Sequence, residues 1–544
     1  MKTFILLFIL FISSALKAQP VWTAIYDSAG TARIERGNDI IVDLNGNIII
    51  TGATESSGTD LDPVTIKYNS AGVFQWSKKM FAIGLNSESG HELAADTEGN
   101  IYVCGDAFAP GHKDAVILKY SPSGTELVNT TFDRQLGWDE FSDIVLDDSA
   151  NIYVTGYSNS PISNHDIVIA KYSSTGALKW VRYYSSPGGF LDSGNDIAID
   201  EQGNLYVCGY AKLSPTNNGF DAVILKYDNA GNQIWVRSIA GPVNKPDNLN
   251  SIALDDSGNI YGGGSITDDS LQGPDCLVVK YDPSGNQLWV RKLQGTSSSI
   301  DQVLNITLDN SGNLYATGYY GETGLGAQIL TAKYDASGTL LWMDTYSPTN
   351  GLNGDRGNEI VVNNSGNIYV CGEFTPNGEF SPDAIILKYN NSGALQWTQT
   401  HRKPISNGLD YFSSIAIDLS GSPVVTGTEQ DTLINRNIVT IKYNQTVSIT
   451  SISSEIPEKF SLFQNYPNPF NPMTKIKFDI PKAFNAKLAV YDILGKEVAV
   501  LVNDNLKPGS YEVELNSADL PSGTYFYRLI TEGFSETKKM TLIK

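Results

Sequence analysis

Residues 196–235 read DIAIDEQGNLYVCGYAKLSPTNNGFDAVILKYDNAGNQIW, and they fall within one period of a repeat that fills most of the chain. The pair Lys226-Tyr227 recurs at 67/68, 119/120, 171/172, 280/281, 333/334, 388/389 and 442/443, so that eight copies stand 52 to 55 residues apart. A Trp follows nine residues after the Lys in six copies: Trp76, Trp180, Trp235, Trp289, Trp342 and Trp397. Val128 replaces it once. Between the pairs runs Asp-x-x-Gly-Asn followed by Ile/Leu-Tyr-Val, as in Asp200–Val207 and, with Ala150 in the Gly place, Asp147–Val154. Periods of this length mean a solenoid or a propeller.

Each unit reads as four short strands. In the first, 39–43 (DIIVD), 47–52 (NIIITG), 62–68 and 73–78 are strands A to D. The A–B turn Asp-Leu-Asn-Gly and the C–D turn Asn-Ser-Ala-Gly put Gly where a positive φ is needed. A helical solenoid would need a 3.6-residue period, which is absent. Four-stranded units repeated radially make a β-propeller. The last unit offers strands only at 413–418, 422–427 and 437–443, while Val21–Tyr26 is an orphan Trp-bearing strand at the other end. That strand is expected to complete blade eight and remove the free edges. The fold class is therefore all-β: an eight-bladed β-propeller, then a small Ig-like β-sandwich.

Composition agrees. The 544 residues include 50 Gly and 28 Tyr, and only 18% are charged. The net charge of −21 repels phosphate backbones and argues against a nucleic-acid partner. Residues 1–18 (MKTFILLFILFISSALKA) have the basic start, apolar run and small-residue end of a secretory signal peptide. No later stretch approaches 18 apolar residues, so no transmembrane helix is expected. Cys104, Cys208 and Cys371 hold equivalent places in separate repeats, too far apart to bridge, and with Cys276 they read as small core residues.

The domain plan is signal peptide 1–18, propeller 19–444, Ser/Thr-rich linker 445–457 and a second domain, 458–544. The last carries a net +1, which leaves −24 on 19–457. Its 87 residues alternate strands and turns, at 474–480, 486–493, 497–503, 510–515, 524–531 and 536–543, as an Ig-like sandwich would.

Two resemblances follow from these motifs. The repeat of residues 20–444 resembles the SBBP-type bacterial propeller repeat. Its KYDxxGxxxW segment, as at Lys280–Trp289, is also similar to the tryptophan-docking motif of eight-bladed quinoprotein dehydrogenases, one residue shorter from Asp282 to Gly285. In that family the Trp packs between neighbouring blades. Residues 458–544 resemble the type A sorting domain of the type IX secretion system, through Phe463–Pro472 (FQNYPNPFNP), Val490–Lys496 (VYDILGK), Ser522–Tyr527 (SGTYFY) and Lys538–Met540. The resemblance implies that Tyr466, Pro467, Asn468, Pro469, Phe470, Gly495, Gly523, Tyr525, Lys538 and Lys539 belong to the sorting signal. It implies recognition by the type IX translocon, and a secreted or outer-membrane-surface location reached through the periplasm.

Chain direction puts the long D–A and B–C connections on one face, which is the expected binding face. Five inner strands are read as beginning with an acid: Asp39, Glu92, Asp143, Asp196 and Glu359. Converging at the channel rim, they could hold Ca²⁺, or they could simply cap loops. Strand C begins with an acid in six units, read as loop caps. Trp138, Phe190, Tyr320, Phe374 and Tyr411 are the loop aromatics expected to meet a ligand, a surface polysaccharide or an extracellular protein. Neither HExxH nor GxSxG occurs, and of the four His the pair worth keeping is His91 beside Glu92, at an inner-strand start. No cofactor is evident. The expectation is a monomeric, exported binding module without catalysis. The alternative is an extracellular enzyme at the channel mouth, a quinoprotein-like oxidoreductase or a polysaccharide-active enzyme.

Overall fold

The computed structural model describes residues 20–543 apart from 29–33, 56–60, 81–87, 110, 136, 161–162, 188–190, 215–218, 269–272, 297–299, 325, 349–353, 377–380, 404–407, 433–434, 445–448, 454–455, 472, 494–496, 518–521 and 532. The expected signal peptide lies outside the described residues. The described elements are all strands, in ten four-stranded sheets. Eight of these are antiparallel blades in strand order A-B-C-D. In the last blade, Pro20–Tyr26 pairs with Asn435–Tyr443, Trp22 opposite Lys442 and Tyr26 opposite Ile438, so the N-terminal strand is strand D of blade eight. The inner strand of that blade, Tyr411–Ile417, packs against the inner strand of the first, Glu35–Val42, and the ring is closed.

The repeat motifs are the joints of this ring. In the A–B turn Asp96 accepts hydrogen bonds from the backbone of Glu98 (3.0 Å) and Asn100 (2.8 Å), the Asn100 amide (2.8 Å) and the Tyr102 hydroxyl (2.9 Å). The Lys of the Lys-Tyr pair lies over the ring of that same Tyr, as Lys119 does at 4.7 Å from Tyr102. In six blades the Asx-type turn is thus sealed by a cation–π contact; in blades one and eight, where Ile49 and Val424 replace the Tyr, Lys67 and Lys442 pair with the turn acids Asp43 and Asp418.

The Trp reaches the next blade, as the docking resemblance implies. Trp235 Nε1 donates to Pro283 O (3.4 Å) and Trp289 Nε1 to Ala336 O (3.2 Å) in the following C–D turns. Arg237 and Arg291, two residues on, donate to the carbonyls of Gly285 and Gly338, each at 2.6 Å. The turn glycine must be Gly twice over: φ is +80° at Gly285, and a Cβ there would press on the Trp235 ring. Trp22 does the same from the closing strand, donating to Ser70 O (3.3 Å) above Gly72. The hydrophobic cores accordingly form between blades, one joining Tyr206, Ile224 and Trp235 of blade four to Leu249, Ile260 and Leu277 of blade five. All four cysteines are free and buried in these layers.

The second unit is a two-sheet β-sandwich. One sheet has the order Ile449–Ser453, Gly509–Asn516, Met473–Ile480, Ser461–Leu462; the other Glu497–Leu506, Phe484–Tyr491, Gly523–Thr531, Phe534–Leu542. Phe478, Leu488, Val490, Val513, Tyr527 and Met540 fill its core. The stretch 445–457, read as linker, contains the first of these strands, whose Ile449 is opposite Val513. Its Ser/Thr richness reflects a short edge strand.

Trp22 joins the closing strand to blade one, so Trp22→Ala is expected to cost about 2–3 kcal/mol in urea denaturation, below the value for a fully buried Trp because the side chain is half-buried. Stability equal to that of the parent chain would show that closure does not depend on this joint.

Candidate functional site

Three or four residues separate the acids expected at the inner-strand starts from the true starts. Those acids sit at a bulge: in every blade the A–B register shifts there, as between Gly37 and Asp39 or Gly194 and Asp196. The position reads Asp39, Glu92, Asp143, Asp196, Ser251, Asn305, Glu359 and Ser414 round the ring. Its side chain accepts from the backbone N–H of the following blade: Asp39 from Leu93 (3.0 Å), Asp143 from Ile197 (2.7 Å), Asp196 from Ile252 (2.8 Å), Glu359 from Ile415 (2.7 Å). Ser414 closes the circle through Ile40 N (3.3 Å). The residue before it often forms a second latch, donating to a carbonyl of the next blade: Asn38 to Gly90 (2.8 Å), Asn195 to Leu249 (2.7 Å), Asn250 to Val303 (2.7 Å), Asn358 to Phe412 (2.7 Å). All five acids line the channel wall and none begins its strand; Asp39, Asp143, Asp196 and Glu359 serve there as blade-to-blade latches. Burial pushes Asp39 up to about 6 and Glu359 up to about 8, and burial with the neighbouring acids pushes Glu92 and Asp196 well up. Asp143 and Asp196 share a hydrogen bond.

An acid at the true start of the inner strand, or immediately before it, is present in all eight blades: Glu35, Glu88, Asp139, Asp192, Asp247, Asp301, Asp355 and Asp410, every one buried. It staples the D–A connection to the B–C connection. Asp247 accepts from Gly241 N (2.6 Å) and Thr267 N (2.7 Å), and Asp410 from Lys403 N (3.0 Å) and Gln430 N (2.7 Å). Its signal in the sequence is an acid eight residues before the turn Asp (Asn363 in blade seven) in every unit.

On this stapled base the channel mouth varies. The residue after the repeated strand-B glycine faces the first turn of the inner strand, in pairs that differ from blade to blade: Ala53 and Arg36, Asp106 and Ser89, Tyr157 and Glu140, Tyr210 and Ser193, Ser265 and Asn248, Tyr319 and Gln302, Glu373 and Arg356, Thr428 and Tyr411. The glycine itself is obligatory: a Cβ at Gly209 would collide with the Ser193 carbonyl. Tyr157 donates to Glu140 (2.9 Å), Ser265 to Asn248 (2.6 Å), Tyr319 to Gln302, and Arg356 pairs with Glu373 (2.9 Å).

Between blades two and three these pairs become a charged cluster. His91 holds the second-latch place, its Nδ1 at 3.1 Å from Phe141 O, and its Nε2 lies 2.8 Å from Asp106. The carbonyl can only accept, so Nδ1 carries a proton. Burial opposes the charged ring, but the Asp106 hydrogen bond and the charges of Asp106 and Glu140 outweigh it and raise the pKa. Lys113 Nζ bridges Asp106 (3.3 Å) and Glu140 (3.1 Å). His91, Asp106 and Glu140 present three donor atoms within 4.8 Å, as do His112, Asp114 and Asp133. In the first set the Lys113 ammonium already supplies a cation. His91 therefore works with Asp106 and Glu140; its sequence neighbour Glu92 belongs to the channel wall.

The expected ligand-face residues divide. Trp138 is half exposed, and Tyr411 stands at the mouth. Tyr320 is buried, its hydroxyl on Gln294 O (2.7 Å), and Phe374 is buried. Neither faces a ligand, because each falls one residue off the mouth-facing alternation of its strand; the mouth-facing residue is Tyr319 beside the one and Glu373 beside the other. Phe190 lies outside the described residues.

Across blades four to six the same face opens into a cavity of about 520 Å³. Tyr210 and Phe220 form one wall, in edge contact with ring centroids 5.2 Å apart. Tyr319, Gln302 and Ile300 form the other, and Asn248 and Ser265 contribute polar groups between them.

In the sandwich, Phe470 and Tyr525 are core residues. Tyr466, Pro467, Asn468 and Pro469 are exposed, Tyr466 to 80%. Asn468 Oδ1 accepts from Thr541 N (2.9 Å), and Phe470 exchanges backbone bonds with Thr541 and Ile543, so the loop holds the last strand. Gly523 opens the strand before it, Lys538 pairs with Glu536 (3.1 Å) and Lys539 is exposed. Gly495 lies outside the described residues.

The channel-wall shifts fix a sign. The folded ring holds protons that unfolded Asp and Glu release near pH 4, so stability falls as pH rises from about 5 to about 8. The raised His91 works in the same direction. The turn acids such as Asp96, held below the usual range, matter only at lower pH. The expected result is a higher Tm at pH 5 than at pH 8. Glu359→Gln, which keeps the acceptor for Ile415, should narrow the difference. A Tm that rises across this window would contradict the assignment.

Comparison with known proteins gives two family matches: residues 179–212 match a β-propeller repeat (SBBP), and residues 464–544 match a secretion system C-terminal sorting domain. An uncharacterised WD repeat-containing protein of Acanthamoeba polyphaga mimivirus is 21% identical over 76% of this chain, which spans 36% of that relative's length. Among solved structures, an ulvan lyase of a new polysaccharide lyase family, bound to a GlcA–sulfated Rha unit, is similar at 10% identity and a TM-score of 0.40, covering 78% of this chain and 94% of its own. A eukaryotic initiation factor is similar at 8% identity and a TM-score of 0.35, covering 67% and 88%. The chain thus joins a β-propeller of the SBBP repeat type to a secretion-system C-terminal sorting domain.

Proposed function

We propose that the chain is a ligand-binding propeller exported by the type IX secretion system, with the sandwich as its sorting signal and the cell surface or surroundings as its destination. The observation that carries the binding reading is a contrast between positions. Turn acid, Lys-Tyr pair, docking Trp and mouth staple repeat from blade to blade, while the mouth pairs differ in all eight. A rigid scaffold bearing a varied rim is the arrangement expected of a recognition surface. The match of 464–544 supports the export reading, as does the separation of the chain into two compact units.

Export is tested by deleting 458–544: the propeller should accumulate, folded, in the periplasm. Unchanged surface display would remove the sorting role. Binding is tested by presenting the mature chain to arrays of glycans and of extracellular proteins. At least one ligand should bind, and Tyr157→Ala at the mouth should weaken it, whereas Glu201→Gln on the opposite face should not. Binding to nothing on either array would overturn the reading.

A further inference from the structure

We propose that the cavity of blades four to six is a saccharide site for an uncharged glycan, a proposal that rests on the mouth being a recognition surface. Its walls are aromatic, Tyr210 with Phe220 on one side and Tyr319 on the other. An aromatic face offers a flat apolar platform to the C–H face of a sugar ring. Between the walls stand side chains that can both donate and accept. Asn248 Oδ1 receives Ser265 Oγ (2.6 Å) and Gln302 Nε2 (3.2 Å), and Tyr319 hydrogen-bonds Gln302. This network holds the polar groups at fixed positions, which is what an array of ring hydroxyls requires. The volume, about 520 Å³, lies within the range of small-ligand pockets.

Charge selects the class of glycan. Among the described residues the one acid lining the cavity, Asp247, turns its carboxylate to the backbone of Gly241 and Thr267. The one base lining it among them, Lys245, is exposed at the rim. A uronate or sulfate chain would meet a single cation inside a strongly acidic domain, and long-range repulsion opposes it. An extended peptide is disfavoured for another reason. Strand addition needs a free sheet edge, whereas the open edge of the inner strand Asn248–Leu254 is already engaged by blade four, Leu249 O accepting from Asn195 (2.7 Å) and Ile252 N donating to Asp196 (2.8 Å).

The test uses the mature full chain on an array of neutral, uronate-containing and sulfated oligosaccharides and of peptides, followed by calorimetry with the best neutral oligosaccharide. Neutral glycans should bind, and 1 M NaCl should leave the affinity within about twofold, since no ion pair is involved. Tyr319→Ala should weaken binding about tenfold or more, and Tyr319→Phe, which keeps the ring, by less. Gln302→Ala, monitored by circular dichroism, serves if Tyr319→Ala does not fold, and should also weaken binding. Preference for acidic glycans or peptides, or binding indifferent to both Tyr319 and Gln302, overturns this proposal and leaves the mouth a recognition surface for another ligand. Binding to nothing overturns both.

Discussion

Hydrogen bonds from one blade's inner strand to the backbone of the next hold the ring at its narrowest point. Blade sheets satisfy their own ladders, so nothing in a blade alone says how it should sit against its neighbour. The bulge in each inner strand supplies that instruction. It turns two successive side chains, such as Asn38 and Asp39, onto the adjacent strand, one donating to a carbonyl and one accepting from an amide. Backbone groups at the same depth in successive blades are thereby tied in register. The Trp joints do the equivalent work at the outer rim. Inner and outer ties together fix the blade angle, and the apolar layers between blades fill the space so defined.

The same arrangement accounts for the acidity. Carboxylates at the latch, at the staple and in the A–B turn all accept backbone N–H groups, so the acidity of the propeller is largely structural. In the turns, hydrogen bonds and lysines hold the acids charged. In the channel wall, burial prevails and several are driven toward neutrality. One composition statistic thus covers two electrostatic states, and only position distinguishes them.

That distinction marks the limit of what was legible beforehand. Period, blade number and closing strand are readable because Lys-Tyr, Trp and Gly recur at nearly constant spacing, and a repeated spacing survives any local irregularity; the sandwich is readable from its alternation of strands and turns. The inner-strand register is not. Asp39, Glu92, Asp143, Asp196 and Glu359 look like strand starts because each is followed by three apolar residues in a row; the bulge falls at the acid, and three or four more residues of each strand precede it. The staple acids were available at a constant eight residues before the turn but were hidden in connections of unequal length. Residue type alone marks Tyr320 and Phe374 as loop aromatics; it does not show that Tyr319, one residue before Tyr320, is the one that faces the mouth.

Pairing Pro20–Tyr26 with Asn435–Tyr443 joins residues about 420 positions apart. A chain that emerges N-terminus first therefore exposes this strand to solvent throughout synthesis, with its partner the last propeller strand to arrive. Contacts of such sequence separation form late, because the loop-closure entropy must be met before any local reward. Seven blades can assemble in order, but the circle stays open until the final one is delivered. The molecule is thus kept from completing its fold until its last propeller segment has appeared, a timing compatible with the export proposed for it.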